Sequence, residues 1–90
     1  MYITSIYYSF TTNEVVVKRP FEIVKETPRL YITDRGYRYS KSDIGIPRLK
    51  YPTKYPYIEL FMVDAGEATL REGLSRWFIN KANEIMEGEL

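Results

Sequence analysis

Tyrosines alternate with arginines and lysines in the middle of the chain, between residues 35 and 57. The tyrosines are Tyr37, Tyr39, Tyr51, Tyr55 and Tyr57, and the cations are Arg35, Arg38, Lys41, Arg48, Lys50 and Lys54. Aromatic rings stack on bases and cations neutralise phosphates, so this mixture suits single-stranded nucleic acid. Tyr and Arg also dominate protein interfaces, because they offer large contact area at modest entropic cost. A purely structural alternative is that the tyrosines pack against one another across a hairpin.

We predict that this segment forms a binding surface, with a protein as the favoured partner and nucleic acid as the alternative. The predicted contact residues are Arg35, Tyr37, Arg38, Tyr39, Lys41, Arg48, Lys50, Tyr51, Lys54 and Tyr55. Residues 35–54 carry six Lys or Arg against Asp43 alone, a net charge of +5, whereas residues 64–90 carry −3. This segregation predicts an oriented electrostatic surface, although charges that only solvate loops produce the same pattern.

Most catalytic chemistry is excluded by residue type. The chain has no His and no Cys, so a Ser–His–Asp or Cys–His arrangement is impossible. Isolated glycines exclude a phosphate-binding glycine-rich loop. Four carboxylates could in principle meet as a metal site, but none lies in a Ca²⁺-loop pattern: Asp34, Asp43, Glu59 and Asp64. We therefore expect no enzymatic activity, no metal and no cofactor.

The length and composition suit one folded domain spanning residues 1–90. The 90 residues are 44% hydrophobic and 28% charged, which is ordinary for a folded domain and unlike a disordered chain. No apolar stretch reaches the roughly 18–20 residues that a membrane-spanning helix needs. Residues 1–10 lack the basic start and apolar stretch of a signal peptide. Together with the absence of Cys, these features lead us to expect a cytoplasmic location without membrane contact.

Short runs of β-branched and aromatic residues predict strands from about residue 2 to residue 63. Residues 2–10 and 14–19 are predicted to form a hairpin, followed by strands at 21–27, 30–33, 37–40 and 57–63. Gly36 can adopt a positive φ and suits the turn between the fourth and fifth of these strands. Residues 41–45 suit one helical turn. Residues 46–56 contain three prolines and predict an exposed loop or a short edge strand.

One apolar stripe predicts a helix over about residues 65–87. Its members are Leu70, Leu74, Trp77, Phe78, Ala82 and Ile85, which recur at helical spacing. Asp64 lies three residues before Glu67, which suggests a capping box at the helix start. Gly73 lowers helix propensity, and one explanation is a close contact with the sheet. We expect the stripe to be buried rather than exposed as a partner groove.

Several strands followed by one amphipathic helix predict an α+β fold. We expect a small, strongly bent antiparallel sheet, or an SH3-like half-barrel, of five to six strands. The C-terminal helix would lie across one face or one open end of the sheet, because its apolar stripe must be buried against another element. This arrangement turns the cationic, tyrosine-rich segment outward.

Several short motifs are shared with a known group of proteins. They include Phe21-Glu22-Ile23-Val24-Lys25-Glu26-Thr27-Pro28 with Tyr31, Lys41-Ser42-Asp43-Ile44-Gly45, and an acidic helix that ends near Asn83-Glu84-Ile85. In these motifs the chain resembles small proteins encoded by phages and prophages of Gram-positive bacteria. The resemblance implies no catalytic residues. It implies a setting in which small proteins bind a host protein or nucleic acid, including host defence enzymes.

We therefore expect a non-enzymatic, macromolecule-binding phage accessory protein. The favoured partner is a host protein, such as a defence nuclease, which it would inhibit or redirect. The first alternative is a single-stranded nucleic-acid-binding protein that uses the basic, tyrosine-rich segment 35–57. The second alternative is a phage structural or assembly subunit. The oligomeric state stays open at this point.

Overall fold

The computed structural model describes residues 1–50 and 54–88, which form seven short strands and one long helix. The strands are β1 (Tyr2–Ser9), β2 (Glu14–Val17), β3 (Phe21–Glu26), β4 (Leu30–Thr33), β5 (Arg38–Ser40), β6 (Arg48–Lys50) and β7 (Tyr57–Val63). Helix α1 covers Glu67–Met86, and a single 3₁₀ turn covers Lys41–Asp43. The α+β class is confirmed, and the proline-rich stretch contains the edge strand β6.

The strands form one antiparallel sheet in the order β5-β4-β3-β1-β7-β6. Strand β2 lies outside this path and pairs with β1, which brings the number of strands to seven. Strands β2 and β3 occupy the same edge of β1, because the chain bends at Pro20 between them. β2 pairs with the second half of β1, from Ile6 to Ser9, and β3 pairs with its first residues, Tyr2 and Ile3.

The sheet curls strongly into a half-barrel, as the sequence predicts. Its two end strands, β5 and β6, are joined by only residues 41–47, and this short link limits how far apart they can lie. The 41–47 link also contacts β7 directly, since the amide of Gly45 donates to the carbonyl of Phe61. Gly36 adopts φ 80° in the turn between β4 and β5, where a side chain would be strained.

One face of the central strands carries the main hydrophobic core. Side chains alternate across a strand, so every second residue of β1 and β7 faces the helix. The buried members of this core are Ile6, Ile58, Leu60, Leu70 and Leu74. Tyr8, Val17, Met62, Trp77 and Phe78 pack against them while partly exposed. The first half of the predicted helical stripe is thus buried, as expected.

The opposite face of β1 and β7 is covered at one end by the β4–β5 hairpin. The ring of Tyr39 meets the ring of Phe61 edge-on, with 4.8 Å between centroids. Tyr37 packs in the same manner on Phe21, at 5.2 Å. Ile3 and Phe61 are buried beneath this hairpin. The sheet therefore has a small second core on the side away from the helix.

Gly73 marks the closest approach of α1 to the sheet. A Cβ atom placed on Gly73 would lie 2.8 Å from Cδ2 of Leu60, closer than two carbon atoms normally approach. The close contact expected from the sequence is therefore present. The glycine lowers helix propensity but lets the axis of α1 lie near β7.

The predicted capping box is wrong. The helix begins after Gly66, which is the N-cap residue, and no side chain caps it. Asp64 instead adopts φ 52°, and its Oδ1 accepts a hydrogen bond from the amide of Tyr2 at 2.8 Å. Its carboxylate therefore joins the end of β7 to the start of β1. The sequence motif is present, but the positive φ of Asp64 in the turn after β7 directs its side chain towards β1 and away from the helix.

The end of α1, after Phe78, extends beyond the sheet. Ala82 and Ile85, which the sequence analysis places on the buried stripe, are exposed, and Ile85 retains 78% of its accessible surface. The expectation of burial therefore fails for the end of the stripe, because the sheet does not reach it. No helix formed by the described residues is long and apolar enough to cross a membrane.

Candidate functional site

The part of the sheet that neither the helix nor the hairpin covers is called here the open face. It consists of the residues of β1, β2 and β7 that point away from α1, near the β1–β2 turn: Tyr7, Ser9, Glu14, Val16, Lys18, Tyr57 and Glu59. The pairing of Tyr7 with Glu59, and of Tyr7 with Val16, places these side chains on one face. Rigid paired strands thus position most of the site.

An ion pair lies on the open face, at the end next to the hairpin. The ammonium of Lys18 is 3.0 Å from Oε2 of Glu59, whose side chain retains only 11% of its accessible surface. The amide of Lys18 donates to the carbonyl of Ser5, which extends the β1–β2 pairing and fixes the backbone of Lys18. The same ammonium lies 5.4 Å from the centre of the Tyr7 ring. The charge of the Glu59 carboxylate is therefore neutralised by Lys18, whose backbone is fixed by its pairing with β1.

The pKa values of Lys18 and of the nearby Tyr39 are both raised. Burial alone would lower the pKa of Lys18, but the hydrogen bond and negative charge of Glu59 outweigh it and raise that pKa above 10.5. Burial raises the pKa of the Tyr39 hydroxyl above 10.0, and the charge of Lys18 opposes part of this rise. Both shifts favour the protonated form, which is charged for Lys18 and neutral for Tyr39.

A shallow groove of about 570 Å³ runs along the open face. Its lining residues are Tyr7, Ser9, Thr11, Thr12, Glu14, Val16, Lys18, Tyr55 and Tyr57. Tyr7 and Tyr57 meet edge-on, with 5.7 Å between ring centroids, so each ring restrains the other. Tyr55 is 61% exposed and stands at the edge of the groove. The groove thus combines aromatic surface with hydroxyls and one fixed ion pair.

Four residues predicted from the sequence adjoin this groove. Tyr55 lines it directly. Arg48 and Lys50 of β6 are paired with Glu59 and Tyr57, and cross-strand partners share a face, so both cations border the open face. The ring of Tyr39 packs on Phe61 in the hairpin-covered part of the sheet, next to the open face.

The other predicted contact residues lie elsewhere. Arg35, Tyr37 and Arg38 belong to the β4–β5 hairpin, at the opposite end of the strand order from β6. Lys41 forms an ion pair with Glu26 and lies over the ring of Tyr31. Lys54 is exposed, and Tyr51 lies outside the described residues. The cations of residues 35–54 are thus spread over both ends of the sheet.

Several residues of the open face were not among the contact residues predicted from the sequence. Tyr7, Lys18 and Tyr57 lie far apart in the chain and meet only through the pairing of β1 with β2 and β7. The sequence does contain a partial signal. Glu59 is the only charged residue within the apolar run from Tyr57 to Val63, and a charge in a buried strand requires a partner.

The four carboxylates considered in the sequence analysis, all of them within the described residues, do not form a cluster. Within residues 1–50 and 54–88, no three His, Cys, Asp or Glu side chains come together as a metal site would require. Three of the four carboxylates considered above are engaged separately: Asp43 with Arg48, Glu59 with Lys18, and Asp64 with the Tyr2 amide. Comparison of the chain with protein-family models, curated proteins and solved structures finds no match.

Proposed function

We propose that this chain is a non-enzymatic protein-binding module whose contact surface is the open face. The observation that carries the proposal is the groove that Tyr7, Tyr55 and Tyr57 line together with Lys18, whose ammonium is paired with Glu59. Tyr7 and Tyr57 lie on paired strands, so they lose little conformational entropy when a partner covers them. The paired lysine offers that partner a fixed polar contact beside the aromatic surface.

The charge distribution favours a protein over single-stranded nucleic acid. Three of the cations are already neutralised by carboxylates: Lys18 by Glu59, Lys41 by Glu26 and Arg48 by Asp43. Glu14 also lines the groove, and its carboxylate would repel a phosphate. Nucleic-acid affinity depends on unpaired cations that follow the backbone. Single-stranded nucleic acid is nevertheless the second candidate, because the cations of Lys50 and Lys54 lie near the exposed ring of Tyr55.

The resemblance to small phage proteins supports a host protein in the cytoplasm as the partner. A chain that lacks His and Cys can act on such a partner by covering a surface that the partner needs. Inhibition or redirection of the host protein would follow directly from that occupancy.

The test compares two exposed tyrosines. The chain is immobilised, a host protein is captured from a lysate of a Gram-positive bacterium, and its affinity is then measured with purified components. Tyr55→Ser removes an aromatic edge of the groove and should weaken binding by about tenfold or more, as the loss of a hot-spot residue does. Tyr2→Ser is the matched control, because Tyr2 is 49% exposed and lies outside the groove. Its affinity should stay within about twofold of the wild type.

Nucleic acid is tested separately with mixed-sequence single strands at about 50 and 200 mM salt. Weak or undetectable binding at both salt concentrations supports a protein partner. Tight binding that falls steeply with salt, and that Tyr55→Ser reduces, would replace the protein proposal with the nucleic-acid one. Equal loss of protein binding in the Tyr55 and Tyr2 variants would show that the groove is not the contact surface.

A further inference from the structure

Strand β2 has one edge that no other strand of the described sheet occupies. It pairs with β1 alone, and β3 takes up the same side of β1 only at Tyr2 and Ile3. The amide of Lys18 still donates to the carbonyl of Ser5, so the stretch paired with β1 runs from Glu14 to Lys18. The side of this stretch that lies away from β1 is called here the β2 edge.

Two residues direct their backbone hydrogen-bonding groups outward at the β2 edge. In an antiparallel pair, residues that bond to the partner strand alternate with residues whose N–H and C=O groups point away from it. Because Lys18 bonds to Ser5, every second residue before Lys18 also faces β1. Val15 and Val17 lie between these residues and therefore face outward. Among the backbone hydrogen bonds of the described residues outside the paired strands, none involves Val15 or Val17.

The sequence of β2 leaves this edge unprotected. Proteins commonly protect a free edge with charged side chains, proline or a very short strand. Strands β5 and β6 have only three residues each, and cations lie in them or beside them: Arg38, Lys41, Arg48 and Lys50. Between Glu14 and Lys18, by contrast, the chain has three consecutive valines with no charge and no proline. Valine favours strand pairing, so the β2 edge is suited to accept a further strand.

A groove lies beside β2 on each face of the sheet. On the open face, Glu14, Val16 and Lys18 line the groove described above. On the other face, a groove of about 310 Å³ lies between β2 and α1. Most of its lining residues are apolar: Ile6, Tyr8, Val15, Arg71, Leu74, Ser75 and Phe78. Successive side chains of a strand point to opposite faces, so a strand added at the β2 edge would direct its side chains alternately towards the two grooves.

One charge at the β2 edge has no counter-charge. Glu14 takes part in none of the ion pairs found among the described residues, and it lines the groove of the open face. Lys18, at the other end of the β2 edge, is already paired with Glu59. A cation opposite Glu14 would therefore form a cross-strand ion pair, whereas Lys18 needs no further charge opposite it.

We propose that the β2 edge binds an extended segment of the partner protein as an additional strand of the sheet. The backbone of the segment bonds to Val15 and Val17, and apolar side chains opposite these valines face the groove beside α1. The side chain between them faces the open face, and a Lys or Arg opposite Glu14 neutralises its carboxylate. From Glu14 to Val17 the segment therefore has the pattern basic, apolar, any residue, apolar. This inference rests on the proposed function and adds the conformation and chemistry of the bound segment.

The backbone groups and the charges of the β2 edge favour a segment of another protein. Nucleic acid has no repeat of amide donors and carbonyl acceptors at the spacing of a strand. A second copy, paired antiparallel about Val16, would place Glu14 opposite the other copy's Lys18, whose ammonium Glu59 already holds. Parallel pairing in register would place two Glu14 carboxylates side by side. A segment that supplies its own cation avoids both arrangements.

The first experiment selects peptides and then removes one backbone donor. A library of random decapeptides is selected on the immobilised chain, and the recovered sequences should alternate apolar with other residues and carry Lys or Arg beside that alternation. One recovered peptide is synthesised for affinity measurements. Val15→Pro removes an outward N–H but no bond to β1, because proline is tolerated where the N–H of an edge strand faces solvent. It should weaken the affinity by about tenfold or more.

Val15→Ile is the matched control for this variant. It keeps the amide and a β-branched apolar side chain, so its affinity for the peptide should stay within about twofold of the wild type. Circular dichroism checks that the wild type and both variants have the same secondary structure.

The second experiment leaves the protein unchanged. Each amide of the synthesised peptide is N-methylated in turn, which removes one donor and keeps every side chain. The amides of a strand point alternately to its two edges, so the loss of affinity should recur at every second position of the peptide. Hydrogen exchange of the wild-type chain should also slow at the amides of Val15 and Val17 when the peptide is added.

Three results would overturn the proposal. One is a library from which no peptide is enriched above a selection without the chain. Another is equal affinity of the Val15→Pro and Val15→Ile variants, or N-methylation effects without a period of two. The third is a dimer in light scattering that Val15→Pro abolishes, because a second copy would then occupy the β2 edge.

The host protein captured for the Tyr55 test separates this inference from the proposed function. If Tyr55→Ser weakens that binding and Val15→Pro does not, the open face remains the contact surface and the added strand is wrong. If only Val15→Pro weakens it, the added strand is supported and the tyrosine-lined groove is not the contact surface. Weakening by both variants supports both proposals.

Discussion

The two faces of the β1–β7 strand pair differ in how they are covered and in which side chains they bury. The face towards α1 is closed by aliphatic residues, with Ile6, Ile58 and Leu60 against the helix. The other face is divided between a hairpin that covers Phe61 and an open region that contains Glu59. Ile58 and Glu59 are neighbours in β7, yet Ile58 requires an apolar environment and Glu59 requires a cation.

The difference shows where this small chain derives its stability and which part of the sheet stays accessible. Apolar contacts on the helix side exclude water and contribute most of the favourable burial. On the open face a carboxylate with 11% of its surface accessible is tolerated only because Lys18 neutralises it. A face held by one ion pair and packed tyrosines is available to a partner without unfolding the domain.

The largest expected effect lies on the helix side. Leu74→Ala should lower the free energy of unfolding by about 2–5 kcal/mol, because Leu74 is 4% exposed and its removal leaves a cavity. Leu49→Ala is the control with the same change of side chain at a position that is 42% exposed. It should cost less than about 1 kcal/mol. Denaturant unfolding measures both, and equal costs would contradict the location of the core.

The next effect concerns the close approach of the helix to the sheet. Gly73→Val should destabilise the domain by about 1–3 kcal/mol, because the new side chain would overlap Leu60. Ala68→Val adds the same β-branched residue at an exposed position of α1 and should cost only about 0.5 kcal/mol. Thermal unfolding followed by circular dichroism compares them. A Gly73→Val variant as stable as the Ala68→Val variant would show that α1 lies farther from β7.

A smaller effect is expected on the open face. Glu59→Gln keeps the shape of the side chain but leaves the Lys18 ammonium without its counter-charge. The free energy of unfolding should fall by about 1–2 kcal/mol, a modest value because Lys18 is partly solvated. In the Lys18→Met background the same change should cost less. A cost that is the same in both backgrounds would mean that the two side chains do not interact.

The smallest effect is a loss of stability in alkali. The folded-state pKa values of Lys18 and Tyr39 are raised above 10.5 and 10.0, the values expected for the unfolded chain. For each group the folded state binds the proton more tightly, so its contribution is fully present below the unfolded pKa. That contribution is lost as pH rises through the folded pKa.

Unfolding measured from neutral pH to about pH 11 tests this alkaline loss of stability. Tyr39→Phe keeps the ring against Phe61 and removes the ionisable hydroxyl. The stability of this variant should therefore fall less steeply above about pH 10 than that of the wild type. Identical slopes for the two chains would contradict the rise in the pKa of Tyr39.

Local patterns were enough to predict most of the elements. The run of valines at 15–17 and the apolar stretch 57–63 each predict a strand through their β-branched and apolar residues, and the spacing of Leu70, Leu74 and Trp77 predicts a helix through its periodicity. The α+β class and the curled antiparallel sheet follow, because an amphipathic helix and short strands have few ways to bury their apolar sides. The proposed contact residues in 35–57 stay a prediction.

The sequence by itself determined most of the element types and the lack of His or Cys chemistry. Only the tertiary structure decided which residues share the open face, because strand register joins Tyr7, Lys18 and Glu59 from three separate segments. It also decided that the helical stripe is buried only over its first half. The physical reason is that periodicity is a local property, whereas the extent of the sheet that covers a stripe depends on how distant strands pair.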